Sequence, residues 1–154
     1  TVEAVQRLSA RPKVRIGAHS HFHDVTLTDV QPKRPKAPSP WRLKRLGSVP
    51  ADLLGGMSIR SRLAFRGGEF SAGRLRPRSE AEWEDYIRRD TELCLEWFAR
   101  HLNRQPDLYG FPFNEYSPKL IAILKTYGFR EFYAGSSVKH AEVIGRTDAE
   151  ALVG

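Results

Sequence analysis

Val14-Arg-Ile-Gly-Ala-His-Ser-His-Phe-His-Asp24 gathers three of the chain's five histidines into five positions, directly after a short run with β preference. The reading is a strand over 13–17 that delivers His19, His21 and His23 at its end. Imidazoles clustered at the end of a buried strand point to a metal site. His19 and His23 are four apart, so a helical turn after Gly17 would project both rings from one face onto one ion, with His21 pointing elsewhere. Ser20 is placed to bond local backbone at the turn, and Asp24 to orient an imidazole. The plain alternative is a solvated, histidine-rich turn that holds nothing.

Outward from this stretch the pattern alternates between helix and strand. Thr1 can cap a helix over 1–10 with Val2, Val5 and Leu8 at helical spacing, ended by Arg11-Pro12. Downstream, Ser79 and Glu82 spell a capping box, and Trp83, Ile87, Cys94, Trp97, Phe98 and Leu102 form one apolar stripe of a helix over about 80–103. Leu108–Phe113 reads as a buried strand leading into a loop. Ser117-Pro118 is a cap followed by proline at the first helical position, Leu120, Ile121 and Leu124 supply a core face, and Gly128 stops the helix. A further strand is expected over Phe129–Ala134, and Thr147–Gly154 looks like the start of another helix. Strands joined by helical crossovers imply an α/β fold with parallel strands, whose loops gather functional groups at the strands' carboxyl ends.

Between Gln31 and Arg78 the composition changes. Twelve basic residues face only Asp52 and Glu69, so this segment carries +10 while the rest of the chain is −3. It is rich in Pro and Gly and shows no sustained period, which reads as a long irregular insertion over 31–78 within a single domain spanning 1–154. Trp41 among Lys33, Arg34, Lys36, Arg42, Lys44 and Arg45 suggests a binding surface in its own right. An anionic glycan or a membrane surface ranks above nucleic acid as partner, because no nucleic-acid-binding motif accompanies the patch.

At 40% hydrophobic the 154 residues allow one domain with a sizeable core, and no stretch approaches the apolar run a membrane-spanning helix needs. No export signal is legible, so bacterial cytoplasm and cell envelope fit equally. The one cysteine, Cys94, rules out a disulfide within the chain and reads as a packed small hydrophobe in its helix. Asp29 and Asp107 read as solvated loop carboxylates, His101 as a helix-end residue and His140 as a loop residue.

Ile16-Gly-Ala-His-Ser-His-Phe-His-Asp-Val-Thr-Leu27 resembles the second motif of the polysaccharide deacetylases, carbohydrate esterases related to the nodulation chitooligosaccharide deacetylase. There a strand ends in Gly-x-His-Ser/Thr-x-x-His with an apolar residue shortly after, matched here by Gly17, His19, Ser20, His23 and Leu27. Phe111-Pro-Phe-Asn-Glu-Tyr-Ser-Pro-Lys-Leu-Ile-Ala-Ile-Leu-Lys-Thr-Tyr-Gly-Phe129 is similar to the third motif, Arg-x-Pro-Tyr-Gly-x-Tyr, and its helix.

The resemblance implies part of a distorted (β/α) barrel and metal-dependent removal of an acetyl group from a sugar polymer or glycolipid. It implies His19 and His23 as two ligands of a divalent ion, zinc being the usual one. It also implies the backbone N–H of Phe113 as an oxyanion contact, and Phe111, Pro112, Asn114, Glu115 and Tyr116 as residues beside the substrate. The chain departs from the family pattern in four places. No Thr-Phe-Asp-Asp-Gly-like stretch, source of the base and the third ligand, precedes Val14, and the late Leu-x-His is missing. Gly110 stands where many members have Arg, and Asn114 where Gly is usual. A partial domain of this kind, with incomplete motifs, implies little or no activity from these residues alone. A second enzyme class stays open, because His19-x-His21 and His21-x-His23 also resemble the His-x-His of metal-dependent amidohydrolases.

Overall fold

The computed structural model describes residues 1–29, 39–46, 49, 57–136, 138 and 140–146. In chain order its elements are α1 (Val2–Ser9), β1 (Val25–Thr28), α2 (Pro40–Leu46), β2 (Ser58–Ser61), β3 (Gly68–Ser71), β4 (Arg74–Pro77), α3 (Glu80–Leu102), β5 (Leu108–Gly110), a 3-10 turn (Pro112–Asn114), α4 (Pro118–Thr126), β6 (Glu131–Ala134) and β7 (Val143–Gly145). None of the described helices is long and apolar enough to cross a membrane.

The helices begin where their caps say they should. Thr1 accepts from the Ala4 N–H, Ser79 and Glu82 close a full capping box, and Ser117 accepts from the Leu120 N–H. Gly128, at φ 91°, takes the left-handed conformation just past α4 that a side chain would resist.

Strands β5, β6 and β7 form a parallel sheet in that order, with Tyr109 opposite Phe132 and Phe132 opposite Val143. The sheet's apolar face, α3 and α4 share one core in which Ile87, Tyr109, Phe111, Leu120 and Leu124 have no exposed surface. The mixed α/β reading with parallel strands therefore holds. The described strands form two separate open sheets, this parallel one and an antiparallel one.

The expected strand over 13–17 is absent. A single parallel bridge, Ala18 to Tyr109, ties this segment to β5, through the Ala18 N–H to Leu108 O at 3.0 Å and the Gly110 N–H to Ala18 O at 2.9 Å. Residues 14–17 run extended without ladder partners, while Arg15 reaches across to Asp107 and Glu131. Asp107 is thus ion-paired and not merely solvated. Gly17 lets the chain approach this closely: a Cβ there would meet Leu108 Cδ1 at 1.7 Å and the Leu108 carbonyl oxygen at 2.9 Å. Gly17→Ala is expected to cost about 2 kcal/mol in chemical denaturation, from overpacking against a fixed strand. An unchanged midpoint would show that the segment can shift at no cost.

The basic segment is also not the irregular insertion its composition suggests. Its described part supplies α2 and three strands, which join β1 in an antiparallel sheet of order β2-β1-β3-β4. β1 pairs with β2 from Val25–Ser61 to Thr28–Ser58, and Val25, Leu27 and Ile59 form a second, smaller core. The β3–β4 hairpin turns on Ala72 and Gly73, both at positive φ (50° and 74°), the backbone of a tight two-residue loop whose twist matches its strands. Ala-Gly announces such a turn far less clearly than Asn-Gly. Lys33, Arg34 and Lys36, and the helix expected over Thr147–Gly154, lie outside the described residues.

Candidate functional site

Beyond Ala18 the chain leaves the parallel sheet at the carboxyl end of β5 and forms the histidine loop. The loop is not helical: Ser20 and His23 both adopt positive φ, 82° and 53°. The pairing of His19 and His23 therefore comes from a turn and not from helix periodicity. Their ring centres lie 5.1 Å apart. Ser20 shapes that turn, its hydroxyl accepting from the His23 N–H at 2.9 Å and donating to Asp90 at 2.9 Å.

Asp90 fastens the loop to α3. Its side chain, with no exposed surface, accepts from the backbone N–H groups of His21 (3.1 Å) and Phe22 (2.8 Å) as well as from Ser20. Three donors on one buried carboxylate fix both the path of the loop and the facing of its imidazoles. The sequence reading passed over this residue. Its signal was nonetheless present, because position 90 falls between Ile87 and Cys94 on the buried stripe of α3, where an acidic residue needs a partner.

The two imidazoles differ in surroundings. His19 is exposed and its Nδ1 lies 2.8 Å from the Gly110 carbonyl, which makes Nδ1–H the donor and Nε2 the nitrogen free to bind an ion. His23 is half-buried, and burial, reinforced by the neighbouring His19, lowers its pKa below the ordinary histidine range. The shift favours the neutral ring, the form a metal ligand needs. His21 points away, exposed and edge-on to Phe22. Beneath the loop, Cys94 takes a hydrogen bond from the His19 backbone, and burial pushes its thiol up to about 11.

These two side chains fit an ion as a pair. Bonds of about 2.0–2.1 Å at tetrahedral angles set two imidazole centres about 5 Å apart, the separation found here. Among the described residues no group of three His, Cys, Asp or Glu side chains is placed to hold a metal ion. Asp24 does not supply or orient one, since its carboxylate is held by Arg45 at 2.7 Å and by the Tyr86 hydroxyl at 3.3 Å.

An aromatic wall stands against His23. Trp41 of α2 meets the His23 ring edge-on at 5.5 Å, Phe113 lies 4.5 Å from the same ring, and Trp41 remains 45% exposed. The guanidinium of Arg42 sits 4.2 Å over Phe113 and donates to Ile59 O, while Arg45 donates to Phe22 O and pairs with Asp24. Two of the cations expected to form a free basic surface are therefore committed to partners within the chain, Arg45 while remaining exposed. Trp41, read in the sequence as part of a charge patch, belongs to the histidine site.

The loop after β5 separates the remaining expected residues. Phe111 and Pro112 are buried in the core and so cannot touch a substrate. Glu115 is also structural: it accepts from the Ser61 N–H at 2.6 Å and pairs with Arg60 at 3.1 Å, tying the turn to β2. Phe113 and Asn114 have positive φ, 59° and 58°, and the turn's own hydrogen bonds use the N–H groups of Asn114 and Glu115, leaving the Phe113 N–H outside them. Exposed Asn114 and partly buried Tyr116 line a cleft of about 370 Å³ with Ala134, Gly135, Ser136 and Val138. Tyr116 also packs on Phe111 and His140.

Arg146, just past β7, completes this corner. It donates to Asn114 Oδ1 at 2.6 Å and to Ala134 O at 3.2 Å, and its Nη1 lies 3.9 Å from where a Cβ on Gly110 would stand. That same point is 3.4 Å from His19 Nδ1. A guanidinium from another strand thus occupies the neighbourhood of the motif position that is glycine in this chain.

No family model matches the chain, and no curated protein matches it in sequence. Solved structures share its fold, among them two deacetylases. A de-N-acetylase from Aggregatibacter actinomycetemcomitans superposes with a TM-score of 0.63 at 16% identity, over 95% of this chain and 47% of its own. The BpsB deacetylase domain from Bordetella bronchiseptica gives 0.66 at 14% identity, over 96% of this chain and 48% of its own. The chain therefore spans about half the length of these structures.

Proposed function

We propose that this chain is the histidine-bearing part of a zinc-dependent de-N-acetylase acting on an acetylated sugar polymer, with its parallel sheet forming part of a distorted (β/α) barrel. The observation that carries this reading is the pairing of His19 and His23 at the carboxyl end of β5, one imidazole oriented by the Gly110 carbonyl and the other half-buried, which lowers its pKa. The shared fold with two deacetylases supports it. When bound, the ion polarises an acetyl carbonyl and lowers the pKa of a water.

The chain's own groups would do the rest of the positioning. Trp41 and Phe113 offer an apolar wall against which a sugar ring can stack, and Asn114 with Tyr116 lines the adjoining cleft. The Phe113 N–H, outside the turn's bonds, is the donor available to a developing oxyanion. The reading requires a further oxygen or nitrogen ligand beyond the two described, so turnover by these residues alone is expected to be slow or absent.

Acetate release from N-acetylglucosamine oligomers, measured with zinc and after chelation, tests the proposal. Zinc binding with little or no release is expected of these residues alone, any release stopping on chelation and returning with zinc. Release indifferent to chelation, or a chain that binds no zinc, overturns it. Two other readings lose support from the geometry: the amidohydrolase pattern needs His21, which faces away, and a basic binding surface needs Arg42 and Arg45, which are engaged internally.

A further inference from the structure

A second polar cleft, of about 300 Å³, opens between the antiparallel sheet and α3, lined by Arg62, Arg76, Arg78 and Arg89 with Glu69, Glu82, Asp85 and Tyr86. Its carboxylates are unequally committed. Arg76 takes up both Glu69 and Glu82, each at 2.8 Å, and this trio keeps a net single negative charge. With Arg62, Arg78 and Arg89 against Asp85, the lining totals four cations and three anions, a net charge of +1 whose uncommitted part is cationic.

Two of these arginines are built into the wall. Arg78 is only 6% exposed; its Nη1 donates to Thr26 Oγ1 at 2.6 Å and to Arg66 O at 3.1 Å, and its Nη2 stands 3.8 Å from Glu69. Its Nε is buried without a partner. Arg62 lies 3.8 Å over the Tyr86 ring, and its Nε too is buried without a partner. The two guanidinium groups are close enough for Arg62 to disfavour the charge on Arg78, after the larger effect of burial. Like charges held together with unsatisfied donors carry a desolvation and repulsion cost that an oxyanion between them removes. Arg89, exposed at the mouth, adds a flexible donor.

From this arrangement we infer that the cleft between β4 and α3 is a binding site for a multivalent oxyanion of the phosphate or sulfate type, held by Arg62, Arg78 and Arg89. The site is separate from the two histidines, and does not depend on the reading given for them. Tyr86 joins the two places, since it stacks with Phe22 at 5.9 Å and donates to Asp24.

Calorimetric titration at low ionic strength, with inorganic phosphate, inorganic sulfate, a hexose phosphate and acetate as the monovalent control, reads the site directly. Saturable one-to-one binding of phosphate or sulfate, with acetate at least about tenfold weaker, is expected. A hexose phosphate that binds more tightly than inorganic phosphate identifies a phosphoryl ester as the ligand, and the reverse order identifies the free ion. Arg62→Gln and Arg89→Gln should each weaken binding by about tenfold or less, and Asp85→Asn, on the exposed face of α3, should tighten it about threefold. Asp85→Asn keeps the test decisive if removing Arg62 from Tyr86 disturbs folding. Phosphate that binds no better than acetate, or with the same affinity in Asp85→Asn and Arg89→Gln as in the parent, overturns the inference.

Discussion

Alanine at His19 or at His23 is expected to lower zinc affinity by at least about 100-fold, while alanine at His21 changes it by less than about threefold. The asymmetry follows from the turn. His19 and His23 face each other at a ligand-pair separation, and His21 lies edge-on to Phe22 with its ring in solvent. His19→Ala also frees the Gly110 carbonyl, whereas His23→Ala leaves a gap beside Phe113 and Trp41. Calorimetry with a competing chelator measures all three variants. A His21→Ala loss as large as the other two would favour a His-x-His site and count against the deacetylase reading.

Asp90→Ala is expected to have the larger effect on the fold, about 3 kcal/mol or more by chemical denaturation. The substitution strands the His21 and Phe22 N–H groups and the Ser20 hydroxyl, all directed at one buried carboxylate. Without that anchor the positive φ values at Ser20 and His23 lose their support, so zinc affinity should also fall, by about 10- to 100-fold. Asp90→Asn separates the two contributions. Its amide keeps the shape and one acceptor oxygen but turns a donor toward donors, so it is expected to lie between wild type and alanine in both measurements. Zinc affinity that stays at the parent value in Asp90→Ala would show that the loop holds its own geometry.

What the sequence revealed depended on how local the cause was. α3, its capping box, α4 with Ser117 and Gly128, and the strands at Leu108 and Glu131 are set by residues within a turn or two of each other, and all can be read from spacing. The antiparallel sheet could not. Its four-residue strands carry too little periodicity to register, and β1 finds β2 only some thirty positions downstream, as in Thr28 with Ser58. The histidine loop failed for a related reason: the spacing of His19 and His23 fits a helix, but Asp90, distant in sequence, pulls the backbone into a different turn. Trp41 was hidden by its basic neighbours. Their charge suggested solvent, whereas Arg42 and Arg45 fold back onto Phe113, Ile59 and Asp24.

Cys94 bears on which metal such a loop would accept. Thiolates are the donors that copper(I) and cadmium seek, and the chain's one sulfhydryl lies directly beneath His19. Burial pushes its titration up to about 11, so the thiol stays protonated at neutral pH. A metal that sought sulfur there would have to displace that proton and reach a buried atom, whereas the imidazoles of His19 and His23 are the less buried donors of the loop.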